Sequence, residues 1–221
     1  MSLEGLVLGG LAAAGALALT PWARRLAGTD SRWFRLHVHV PLAALGGVLA
    51  AGLSTGWAEA LAFTSLAVAS GLLVVVDLTV HRLPDAVVGR TYLVLLPLLT
   101  VAAATQDAWR DLGRACAAGA AVTALYFVLA LISPSGMGLG DVKLSGALAA
   151  FLGWFGWPEV LLGTLAAFVL GGLSAVVLLA LRRAHRDTAF AFGPWMILGA
   201  WFAVFAGALL ADWYLGLVFA S

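Results

Sequence analysis

Charge is what this chain has least of. Asp, Glu, Lys and Arg make up 10% of its 221 residues, while 63% are hydrophobic. A water-soluble domain carries about 25% charged residues, so water is not the main solvent here. The net charge of +1 provides no basic stripe to neutralise phosphates, which excludes nucleic acid as a partner. Cysteine occurs once, as Cys116. A lone cysteine allows no internal disulfide and no thiolate metal cage, and it reads as a small packed side chain in an apolar run. No cofactor and no metal is expected. A basic segment ahead of the first apolar run is also missing. Met1 to Thr20 has only Glu4 at its start and is followed by Arg24 and Arg25. That polarity predicts a retained helix rather than a cleavable leader.

What the chain does have is apolar runs. About 20 such residues span the hydrocarbon, and candidates fall at roughly 3–20, 37–54, 57–77, 87–105, 112–132, 143–157, 159–181 and 194–218. The expected fold is an all-α, polytopic transmembrane bundle of seven to eight spans, forming one membrane-embedded domain over 1–221. The polar stretch from Pro21 to Arg35 is too short to fold alone. With the N-terminus outside, Arg24, Arg25, Arg32, Arg35, Arg82, Arg90, Lys143, Arg182, Arg183 and Arg186 share one side, and Arg110 and Arg114 the other. That asymmetry predicts that the first side is cytoplasmic in a multi-pass inner-membrane protein. Tryptophans near span ends, among them Trp22, Trp33, Trp57, Trp109, Trp157 and Trp213, suit an interfacial belt. The spacings Gly5 to Gly9 and Gly52 to Gly56 permit close helix approach.

Two polar motifs interrupt this pattern. One runs from Asp77 through His81 and Arg82 to Leu83-Pro84-Asp85; the other is Gly136-Met137-Gly138-Leu139-Gly140-Asp141-Val142-Lys143. A carboxylate in hydrocarbon costs about 2.5–3.5 kcal/mol and usually marks function. Pro84 followed by Asp85 at an N-cap is an ordinary helix start. The glycines before Asp141 allow backbone conformations closed to other residues. Lys143 either lowers the proton affinity of Asp141 or anchors the helix end at the headgroups. Without a preceding strand the glycine run is not a nucleotide loop. His37 and His39, two apart, do not share a helix face and predict no metal pair. If Asp77 and Asp141 face each other, one holds a proton and the other is ionised. That is the division of labour in aspartic proteolysis. The rival reading is a small proton-coupled transporter, although relay acids usually sit mid-span.

These motifs resemble those of the type IV prepilin peptidase family, membrane aspartic proteases of the Gly-x-Gly-Asp type. Asp77 with Leu83-Pro84-Asp85 resembles the first signature, and Gly138-Leu139-Gly140-Asp141-Val142-Lys143-Leu144 the second. Ala191-Phe192-Gly193-Pro194 resembles the Phe-Gly-Pro that opens the family's last helix. The likeness covers roughly residues 60–200 and is specific in combination. It implies a catalytic pair Asp77 and Asp141, with Pro84, Asp85, Gly138, Gly140, Lys143, Gly193 and Pro194 in support. It also implies cleavage of basic leaders from prepilin-like membrane proteins at the cytoplasmic face, or action on other membrane substrates by the same chemistry. Many bacterial members carry a cysteine-paired metal domain between the first two spans, where this chain has only Pro21 to Arg35. The resemblance is therefore to the short forms, without grounds to expect N-methylation of the product.

Overall fold

The computed structural model describes residues 2–28, 31–133, 137–181 and 191–219, the last twelve by backbone alone. They form nine helices and, among the described residues, no strand. In chain order these are α1 (Leu3–Ala27), α2 (Arg32–Arg35), α3 (His39–Leu53), α4 (Trp57–Val80), α5 (Asp85–Gln106), α6 (Trp109–Ile132), α7 (Leu139–Phe155), α8 (Trp157–Ala180) and α9 (Gly193–Phe219). All eight predicted apolar runs are helical. Five of them (α1, α4, α5, α6 and α8) are long and apolar enough to cross a membrane. The chain divides into two compact units, Met1–Leu112 and Gly113–Ser221.

In the first unit α1, α3 and α5 pack on α4, the most enclosed of the long helices. Small residues set these contacts. A side chain at Gly47 of α3 would come within 2.5 Å of the Leu8 carbonyl of α1, and one at Gly71 of α4 within 2.5 Å of the His39 carbonyl of α3. Close backbone approach of this kind is how apolar helices associate where no hydrophobic gradient drives them. Of the two predicted glycine pairs, only the first makes such a contact. Gly9 faces Val48 and the Ala44 carbonyl, whereas Gly52 has nothing within 4 Å and Gly56 lies outside α3 as the cap of α4. Gly47→Leu is expected to destabilise the chain by about 1–3 kcal/mol through overpacking. Gly52→Leu serves as the neutral comparison, and thermal unfolding in detergent checks both.

The stretch from Pro21 onward is more ordered than its polarity suggested. Pro21 lies inside α1, which continues to Ala27 and stops where Gly28 adopts φ 63° and donates its N–H to Arg24 O (3.0 Å). Only glycine holds that conformation without strain. The cations Arg24 and Arg25 occupy the last turn, where the helix dipole favours them. The single turn α2 then buries Phe34 against Ala23, Leu72, Val75 and Val76.

In the second unit α7 is 17 residues long, and its side chains from Leu144 to Trp154 are all buried. A helix apolar all round is a core helix, which explains how a run this short persists. Gly153 of α7 abuts Ala115 and Ala118 of α6, and Gly199 of α9 abuts Ala167 and Gly163 of α8. Arg114 of α6 closes the C-terminal end of α7. Its Nε donates to Gly153 O (2.6 Å) and its Nη2 to Trp154 O (2.6 Å) and Phe155 O (3.0 Å). Cys116 on α6 is exposed, not packed. Arg182, Arg183 and Arg186 lie outside the described residues, as do Gly136 and the side chain of Trp213.

Candidate active site

Asp77 belongs to the last turn of α4. The helix runs three residues beyond the predicted boundary, so this carboxylate sits inside it and is 3% exposed. The helix ends at His81, which takes the left-handed conformation (φ 51°, ψ 40°) and donates its N–H to Asp77 O (2.8 Å). For a residue with a Cβ that conformation costs about 1–2 kcal/mol. It turns the chain sharply away from the Asp77 turn. Pro84 (φ −65°, ψ 124°) then caps α5, its carbonyl accepting from the N–H groups of Val87 (2.9 Å) and Val88 (3.2 Å). Asp85 was expected at the N-cap; it is the first residue of α5 instead, and exposed. Two acids eight residues apart therefore differ in kind. One is enclosed, and the other is exposed at the end of a helix where the dipole favours an acid.

Asp141 belongs to the first turn of α7, four residues earlier in helical structure than predicted. Its carboxylate Oδ2 accepts the Gly138 N–H (3.2 Å), and its own N–H donates to Gly138 O (3.0 Å). Gly138 has φ −76° and ψ 147°, ordinary extended backbone. The expected unusual conformation is thus not why glycine stands there. A Cβ at Gly138 would lie 3.3 Å from Asp141 Oδ2, the movable end of a side chain. Gly140 continues the same turn at intermediate exposure, and Lys143 is exposed.

The third signature opens the last helix. Phe192 O accepts from Trp195 N–H (3.1 Å) and Met196 N–H (3.2 Å), so Gly193 and Pro194 open α9. The Phe192 ring lies 5.5 Å from Phe168 and 6.3 Å from Tyr126, centroid to centroid, in a slot that exists because residue 171 is glycine. Tyr126 of α6 is buried and interacts electrostatically with Asp141. Sequence reading passed it over, although a hydroxyl inside the apolar run Ala124-Leu125-Tyr126-Phe127-Val128 was a visible signal.

His37 and His39 do come together, with ring centroids 5.9 Å apart. His37 (φ 51°) lies in the turn before α3 and not on its face, so helical spacing does not apply. His39 is fully buried with Nε2 2.7 Å from Thr20 Oγ1. The Thr20 hydroxyl also reaches Ala16 O (2.9 Å).

The type IV leader peptidase family model matches residues 64–176, a segment that includes both Asp77 and Asp141. The chain belongs to this family. Its match stops short of Gly193 and Pro194. A prepilin leader peptidase/N-methyltransferase of Aeromonas salmonicida is 36% identical over 95 residues, 42% of this chain and 32% of that protein. Proteins of the same description from Pseudomonas putida (39% over 84 residues; 38% and 28%) and Escherichia coli K12 (38% over 65 residues; 29% and 27%) are also similar. The matched segment spans about a third of the length of these relatives. No solved structure matches the chain.

Proposed function

We propose that this chain is an aspartic endopeptidase of the inner membrane that removes leaders from prepilin-like proteins at the cytoplasmic face. The observation that carries the proposal is the family match across both acids, joined to where those acids stand. Asp77 is enclosed in the last turn of one helix, and Asp141 lies in the first turn of another. Helix-end carboxylates suit a junction reached from the membrane surface. They do not suit a mid-membrane proton relay.

In the mechanism, the two carboxylates share one proton across the scissile peptide. The ionised acid removes a proton from water as that water attacks the carbonyl carbon. The protonated acid donates to the carbonyl oxygen, and protons then pass to the leaving amine as the C–N bond breaks. Asp141 suits the ionised role, because the Gly138 N–H and the α7 N-terminus both favour an anion there. A substrate whose apolar helix stays in the bilayer presents only its leader junction to this pair. N-methylation is not part of the proposal, since Pro21 to Arg35 holds no cysteine.

Co-expression with prepilin-like proteins, followed by mass measurement of the product's N-terminus, tests the reading. The expected product lacks its leader and carries no added methyl group. A prepilin left intact beside membrane-inserted enzyme, across the pilins encoded with it, would overturn it.

A further inference from the structure

One face of α4, carrying Ser65, Val68, Ala69 and Leu72, floors a groove of about 430 Å³. The spacing is that of a single helical stripe, about 10 Å long at 1.5 Å per residue. Leu19 and Trp22 of α1 form one wall; Val87, Thr91 and Val94 of α5 form the other. The groove's hydroxyl hydrogens are engaged elsewhere. Ser65 Oγ donates to Ala62 O (2.7 Å) and Thr91 Oγ1 to Val87 O (3.0 Å). What remains is an apolar trough with one cation at its mouth. Arg90 is exposed, its guanidinium 4.4 Å from the Trp22 ring centroid. It lies five residues into α5, at the end joined to α4 by residues 81–84.

The dimensions and chemistry select the occupant. The stripe is about 10 Å long, fewer than two turns for a second helix to pack along. An extended peptide would need partners for its backbone N–H and C=O groups, and helix-lined hydrocarbon provides none. An acyl chain has no such need. A guanidinium at the mouth matches phosphate geometry, and tryptophan beside it marks headgroup depth.

We propose that the groove binds one anionic phospholipid, its acyl chain lying along α4 and its phosphate on Arg90. The lipid fills the space between α1 and α5 and braces the end of α4 that carries Asp77. This inference does not depend on the peptidase reading.

Native mass spectrometry of the detergent-purified full chain tests it, by titration with phosphatidylglycerol or phosphatidylcholine of the same acyl composition. The wild type is expected to retain phosphatidylglycerol preferentially. Arg90→Gln is expected to weaken phosphatidylglycerol by about fivefold, the effect of one basic side chain at an anionic surface, and to leave phosphatidylcholine unchanged. Arg90→Lys keeps most of the preference. Ala69→Phe fills the trough and weakens both lipids. Equal retention of the two lipids by wild type would overturn the proposal, as would Arg90→Gln and Ala69→Phe binding like wild type. A photo-crosslinker at Val94 that captures polypeptide in place of lipid in cells would do the same.

Discussion

Asp77→Asn and Asp141→Asn are each expected to lower leader cleavage about a thousandfold, within the range that one positioned acid or base contributes. Asparagine keeps the shape of the side chain, carries no charge and can neither take nor give the proton. At position 141 the amide oxygen still accepts from the Gly138 N–H (3.2 Å for the carboxylate), so the first turn of α7 stays capped. At position 77 the amide carries no charge to enclose at 3% exposure, and the insertion check separates loss of fold from loss of activity. Asp85→Ala is the contrast. An exposed charge in the first turn of α5 contributes about 0.3–1 kcal/mol to that helix, so most activity remains. The measurement is the processed fraction of a co-expressed prepilin, with membrane insertion of each variant verified. Normal processing by either asparagine variant would remove that residue from the chemistry.

Arg114→Leu is expected to destabilise the chain by about 3 kcal/mol or more, since hydrogen bonds to a charged group contribute about 1.5–3 kcal/mol each. Three carbonyls of the last turn of α7 receive its guanidinium. A helix C-terminus is where both the dipole and the open carbonyls call for a cation. Leucine occupies similar space and leaves those carbonyls without the guanidinium. For a chain of this length the loss corresponds to about 6–12 °C in the unfolding midpoint. Arg114→Lys keeps the charge but not the fork of donors, and falls between. A leucine variant that melts with the wild type would show that the guanidinium contributes nothing there.

The cation count in the sequence treated Arg114 as one of two charges marking the outer side. Its structural use as the cap of α7 was invisible, because Gly153 to Phe155 lie about forty residues away. The same holds for Tyr126, which meets Phe192 across sixty-six residues of chain. Phe34 was likewise concealed. Its neighbourhood reads as a polar loop, yet its ring is the buried anchor of that loop.

Composition and run length alone determined that the chain is helical and made for a membrane. With 10% charged residues and eight apolar runs, only hydrocarbon suits the side chains, and only helices satisfy the backbone there. The two acids were legible for the same reason, since a carboxylate stands out where almost every neighbour is Leu, Val, Ala or Gly. Tertiary structure alone decided how each acid is held. Asp77 is enclosed on the most buried of the long helices, at 3% exposure, while Asp85, one short turn later, faces outward. Gly138 holds ordinary extended torsion angles, which the sequence could not show. Burial and close approach come from residues distant in the chain, and local spacing carries no trace of them.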